Sequence, residues 1–209
     1  RLAMVSQGKK NIFETDLFKP LAGTLPENID PRISRIVLDH MKASVFLIAD
    51  GVRPSNKEQG YILRRLLRRA MAYAKANNFP GDGPRELSEK IIDLYRIHYP
   101  ELENNKKIIL ETIYDERGKF AKTLVQGLKQ LEKMKQVDAK EAFHLYETYG
   151  LPFDFIRDKV PGLKMQDFEE EFKKHQEISR AGAVGKFGGH GLLLDTGELK
   201  AKDQEELKK

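Results

Sequence analysis

The segment PRISRIVLDHMKASVFLIAD, residues 31–50, admits essentially one local structure. Its apolar positions Ile33, Ile36, Val37, Met41, Val45, Phe46 and Ile48 recur largely at three- and four-residue intervals, the pattern of a helix packed on a core. Asp30 stands where a capping carboxylate would accept from free backbone N–H groups. DGVRPSN then brings Gly51, Pro54 and Asn56 in quick succession and ends the helix. A buried helix of this kind needs partners of similar length to cover it.

The rest of the chain supplies them. TDLFKPLAGTLP reads as a short helix from Thr15, and ELSEKIIDLYRIHY as another that stops at Pro100. Between Leu102 and Met134 a long stripe runs through Ile109, Ile113, Phe120, Leu124, Leu128 and Leu131, which predicts one helix of roughly 50 Å. DAKEAFHLYETYGLP carries Asp138 as cap, Glu141 as its capping-box partner, and Gly150 then Pro152 as stop. MQDFEEEFKKHQEISRA is a charged amphipathic helix whose EEEFKK run is a solvated face. GKFGGHGLLLDTGELKAKDQEELKK then turns Gly-rich and loses its period. With no internal repeat and no series of alternating strands, the prediction is an all-α, bundle-like fold with a Gly-rich C-terminal connector and room for a short strand pair at 192–199. Residues 1–137 are expected to form a helical domain, 138–183 a second helical subdomain and 184–209 a linker. RLAMVSQG has no initiator Met, cap or turn, and reads as the middle of an element cut from a longer protein.

A 40% apolar fraction over 209 residues suffices for a core, and with 33% charged residues no apolar run approaches the length of a membrane span or signal peptide. These features predict a cytoplasmic protein without a membrane partner. The absence of Cys excludes disulfides, thiolate zinc and thiol catalysis within this chain. The formal charge of +5 is unevenly placed: residues 1–90 hold 16 Lys and Arg against 10 Asp and Glu, leaving 21 against 22 beyond them. A localised excess suggests a polyanionic partner.

The excess is concentrated in GVRPSNKEQGYILRRLLRRAMAYA, residues 51–74. At about 100° per residue Arg64, Arg65, Arg68 and Arg69 share one face, with Leu63, Leu66, Leu67 and Ala70 on the other. Like charges four apart destabilise an isolated helix, and only Glu58 is near in sequence to offset them. Either acidic residues elsewhere in the fold neutralise this face, or it binds phosphates, whose oxygens match guanidinium forks. Ahead of the arginines, Ser55, Asn56 and Gln59 stand at a helix start. Free N–H groups there favour phosphate, and an Asn amide can donate to or accept from a base edge. A plain N-cap is the ordinary role of Ser55 or Asn56 taken alone.

Other candidates are weaker. His40, His98, His144, His175 and His190 lack metal-ligand spacing, and no metal site is expected here. There is no P-loop or GxSxG elbow, and GKFGGHG, without a flanking strand and helix, reads as a hinge.

The stretch DHMKASVFLIADGVRPSNKEQGYILRRLLRRA, residues 39–70, resembles the alanyl-tRNA synthetase family, in which D-H-x-R-x-x-x-F-x-I-x-D-G-x-x-P-S-N-x-x-x-G-Y-x-L-R-R recurs. TDLFKPL (15–21), AFHLYETYGLPFD (142–154) and KFGGHGLLLDTGEL (186–199) resemble further family segments in the same order, the last at the start of the editing domain. The resemblance implies the middle, tRNA-recognition region of a class II synthetase. That enzyme attaches alanine to tRNA(Ala) using ATP with Mg and holds Zn in its editing domain. Arg1 would match the ATP-contacting Arg that ends the third class II motif. The rest of the aminoacylation core would precede residue 1 and the zinc ligands would follow Lys209. No cofactor, and no catalysis by this piece alone, is expected.

Family members select their tRNA by a G·U wobble pair in the acceptor stem. The resemblance implies that Asn56 and Glu147 approach this pair from its two grooves, while Ser55 and the four arginines hold the RNA backbone. A wobble shift leaves the guanine 2-amino group without a pairing partner in the minor groove, where a carboxylate can accept from it. Glu147 replaces the family's usual Asp and moves the carboxylate outward by roughly 1.5 Å. Either the same pair is read or one displaced along the stem. The rival reading is a free-standing helical module that docks an acidic protein through its basic face.

Overall fold

The computed structural model describes the backbone of residues 1–79, 82–134 and 136–186, with side chains through residue 175 and at 177. The described residues are all-α, with no strand. In chain order the helices are α1 (Leu2–Ser6), α2 (Lys19–Ala22), α3 (Pro31–Ala49), α4 (Glu58–Ala76), α5 (Gly83–Tyr95), α6 (Pro100–Asn104), α7 (Lys106–Lys133), α8 (Ala139–Tyr149), α9 (Phe153–Lys159) and α10 (Met165–Lys186), with a 3₁₀ turn at Ile12–Glu14. Residues Arg1–Phe168 form one compact unit and Glu169–Lys209 a second.

The predicted stripe of α3 is the centre of the first unit. Val37, Met41, Val45 and Ile48 are buried against α4, whose Leu63, Leu67, Ala70 and Met71 face them, and α5 and α7 close the core with Leu87, Ile91, Ile109, Ile113 and Phe120. Burying each large side chain contributes about 1.5–3 kcal/mol, so these four helices contribute a large share of the stability of the unit. Asp30 caps α3 as expected, accepting from the N–H groups of Arg32 (2.7 Å) and Ile33 (3.3 Å). The Asp138–Glu141 capping box opens α8. Gly150 closes it at φ 70°, where its N–H reaches Tyr146 O (3.0 Å).

Three boundaries differ from the sequence expectation. The single helix predicted over 102–134 is interrupted at Asn105, whose side chain donates to the last carbonyl of α3, Ala49 O (3.2 Å). The second piece, α7, has 28 residues and spans roughly 42 Å. Pro100, expected as a stop, opens α6 at a position where its missing N–H costs nothing. The short helix predicted from Thr15 is confined to Lys19–Ala22. A helix that was not anticipated, α9, buries Phe153, Phe155 and Ile156 behind Pro152. The strand pair at 192–199 and the connector at 184–209 lie outside the described residues, except that 184–186 continue α10. No helix among the described residues is long and apolar enough to cross a membrane.

Candidate nucleic-acid interface

The loop between α3 and α4 is folded back onto the first turn of α4. Ser55 N–H donates to Gly60 O (3.0 Å), and the Ser55 hydroxyl bonds the backbone of Lys57 as both donor (2.9 Å) and acceptor (3.2 Å). Gly60 permits this close approach: a Cβ there would lie 2.3 Å from Ser55 Oγ and 2.4 Å from Arg53 O. The hydroxyl of Ser55 is therefore committed to shaping the loop. Asn56, at its tip, is exposed.

Arg64 reaches back over this turn and donates from Nη1 to Asn56 Oδ1. A guanidinium has no acceptor, so the amide oxygen must face it and the Asn56 NH₂ is turned away as a donor. The sequence left both capacities open.

The arginine face is neutralised in part, and by residues far away in the chain. Glu116 of α7, only 2% exposed, lies 2.7 Å from Arg68 Nε and 3.6 Å from Arg64 Nε. The Arg68 guanidinium also lies over the Phe120 ring, 4.9 Å from its centroid. Asp154 of α9 accepts from Arg65 Nη2 at 2.8 Å and has Arg157 and Arg69 at 3.5 and 3.7 Å. Five guanidiniums thus share two carboxylates, an excess of three positive charges within the cluster. Arg65, with 47% of its side chain exposed, is the most accessible of the four predicted cations, the others being 20–24% exposed. Burial, then the Arg69 charge, holds the His40 imidazole below its usual pKa. Its Nε2 can then accept from Arg69 Nη1 (3.2 Å), while Nδ1 donates to Asp39 (3.2 Å).

Glu147 is exposed on α8. Its neighbour Tyr146 ties α8 to α4 through its hydroxyl, 3.1 Å from the Tyr61 hydroxyl. Burial and that hydrogen bond raise the Tyr146 pKa. Arg1 is exposed at the head of α1. No group of three or more His, Asp or Glu among the described residues could hold a metal ion.

Glu116 and Asp154 were missed by sequence reasoning. A signal existed for the first: Glu116 falls on the apolar stripe between Ile113 and Phe120, at spacings of three and four, where a carboxylate must find a buried partner.

The two carboxylates of α9, Asp154 and Asp158, give a pH prediction. Burial alone would raise the Asp154 carboxyl, but its Arg65 hydrogen bond and the Arg69, Arg65 and Arg157 charges outweigh this and hold it below its usual value. Asp158 behaves alike: desolvation is outweighed by Arg32, which grips both its oxygens at 2.7 and 2.8 Å, and by Tyr73. Folded-state values below the unfolded ones make a contribution that is fully present above about pH 4 and is lost as pH falls through the lowered values. The urea midpoint should therefore fall as pH drops below about 4. Asp154→Asn should lower stability at pH 7 by about 1 kcal/mol, allowing for partial exposure, and flatten that drop.

The model of the family tRNA synthetases class II (A) matches residues 1–207. Similar curated proteins are the alanine–tRNA ligases of Borrelia hermsii (36% identical, covering 88% of this chain and 34% of that protein), Rhizobium johnstonii (34%, 88% and 23%) and Elusimicrobium minutum (39%, 87% and 23%). The chain spans about a quarter to a third of the length of these relatives. The family match over residues 1–207 and these relatives together show that the chain belongs to the class II tRNA synthetases (A), as a region of alanyl-tRNA synthetase.

Proposed function

We propose that this region binds the acceptor stem of tRNA(Ala) and selects it by a G·U wobble pair, so that the aminoacylation core of the whole ligase can attach alanine with ATP and Mg in the cytoplasm. The observation that supports the reading is the juxtaposition at the start of α4: an under-compensated guanidinium cluster beside exposed Asn56, whose amide oxygen is taken by Arg64 and whose NH₂ is left as a donor. Excess positive charge on one helix face favours the phosphate backbone without regard to sequence. Asn56 from one groove and Glu147 from the other supply selection, with Glu147 accepting from the guanine 2-amino group that a wobble pair leaves unpaired. Loss of a good base contact of this kind costs about 1–3 kcal/mol of discrimination.

Arg65, the most accessible cation, is the principal phosphate ligand. Arg65→Gln should weaken binding of G·U and G·C acceptor hairpins about equally, and lower the slope of log K against log salt by about one unit. A change in discrimination without a change in slope would contradict that role. Glu147 is tested in the full-length ligase by charging hairpins with the wobble pair at the third or the fourth position. Glu147→Ala should reduce efficiency on the favoured hairpin by at least about fivefold, at the low end of a base contact. Unchanged efficiency and preference would remove Glu147 from the readout.

A further inference from the structure

We infer that Arg64 does not grip phosphate but positions Asn56, and that Glu116 is the buried anchor through which it does so. The inference rests on the proposed reading of Asn56 as a base-contacting residue, and it assigns to two side chains the task of presenting that amide.

The geometry forms a relay across three elements. Phe120 and Glu116 lie on α7, one turn apart. Arg68 is fixed between them, its Nε 2.7 Å from Glu116 Oε1 and its guanidinium over the Phe120 ring. The same carboxylate oxygen faces Arg64 Nε at 3.6 Å, and that nitrogen is buried and makes no hydrogen bond. With its inner edge drawn toward Glu116, Arg64 directs Nη1 at Asn56 Oδ1, eight residues earlier in the chain. One end of the planar fork is thus bonded to Asn56 and the other is buried facing Glu116, which leaves less of Arg64 to meet a phosphate than remains on Arg65, twice as exposed. An isolated Asn at a loop tip samples both amide orientations and several rotamers. One whose oxygen is held by a cation presents only its NH₂. The buried carboxylate thereby acts on RNA selectivity without touching RNA.

The test uses the 209-residue chain, an acceptor-stem hairpin carrying G·U and the same hairpin carrying G·C. Binding is measured across a salt series, and the order of the Asn56 side-chain amide is followed by ¹⁵N relaxation. Arg64→Lys keeps the charge but cannot span Glu116 and Asn56. It should reduce the preference for G·U by about tenfold, leave the salt slope and helicity unchanged, and lower the order of the Asn56 amide. Glu116→Gln, which keeps the shape, should reduce preference and amide order in the same direction. Preference and amide order retained in Arg64→Lys overturn the positioning role alone. A salt slope reduced by about one unit in Arg64→Met, with preference intact, marks a phosphate ligand and also overturns it. If the unmodified chain shows no preference, the base-reading role of Asn56 fails, and this inference fails with it.

Discussion

Replacing Glu116 with leucine should lower the stability of the unit formed by residues 1–168 by about 3 kcal/mol. This is the low end of the cost of removing one partner from a buried ion pair. The low end applies because Arg64 and Arg68 each keep about a quarter of their side chain exposed and can turn part of their charge to water. For a unit of this size the loss corresponds to a fall of roughly 6–12 °C in melting temperature. The effect comes from the stranded cations more than from the lost carboxylate. Removing the two arginines together with Glu116, as the triple substitution Glu116→Leu, Arg64→Met and Arg68→Met, should recover most of the stability while abolishing any G·U preference. Thermal melts of the single and triple variants separate the two contributions. A single variant that melts within about 2 °C of the parent would show that the pairs contribute little.

Gly60→Ala should disturb the interface at its origin. The added methyl gains up to about 1 kcal/mol of helix propensity. It must also occupy space 2.4 Å from a backbone oxygen, Arg53 O, and 2.3 Å from Ser55 Oγ. Neither atom is the free end of a flexible chain, because Ser55 is held by Lys57 through its hydroxyl and by Gly60 through its N–H. Overpacking of this kind costs about 1–3 kcal/mol, so a net loss of about 1–2 kcal/mol is expected, with the loop pushed off α4. Asn56 moves with that loop and away from Arg64. The signature is therefore a modest drop in melting temperature with about a tenfold loss of G·U preference, while the phosphate-dependent salt slope persists. An unchanged preference would detach the fold of this loop from base recognition.

The sequence discloses the large helices because their physics is local. α3 and α4 each carry an unbroken apolar stripe, and α8 is bounded by a capping box and a left-handed glycine, so each could be read from a few neighbouring residues. The missed features are those that local patterns cannot carry. α9 has seven residues, too few to display a period, and its place is set by burial of Phe155 and Ile156. The break at Asn105 depends on a hydrogen bond to Ala49, 56 residues away. The segregation of charge on α4 was legible, and so was the need for compensation. The identity of the compensating acids was not, since Glu116 and Asp154 lie 48 and 89 residues from the arginines they bond. That pairing divides four chemically equivalent arginines into unequal roles. Arg65 looks outward, Arg68 is built into the core edge, Arg69 is shared between Asp154 and His40, and Arg64 is turned toward Asn56.

On the proposed reading this face selects a base pair and does not merely attract a polyanion. Competition between two acceptor hairpins that differ only in G·U against G·C, at fixed salt with the unmodified 209-residue chain, tests it most directly. The G·U hairpin is expected to displace the G·C hairpin with an affinity advantage of about tenfold or more, an advantage lost in Asn56→Ala. Equal competition by the two hairpins, with both weakening alike as salt rises, would contradict it and leave only a basic surface.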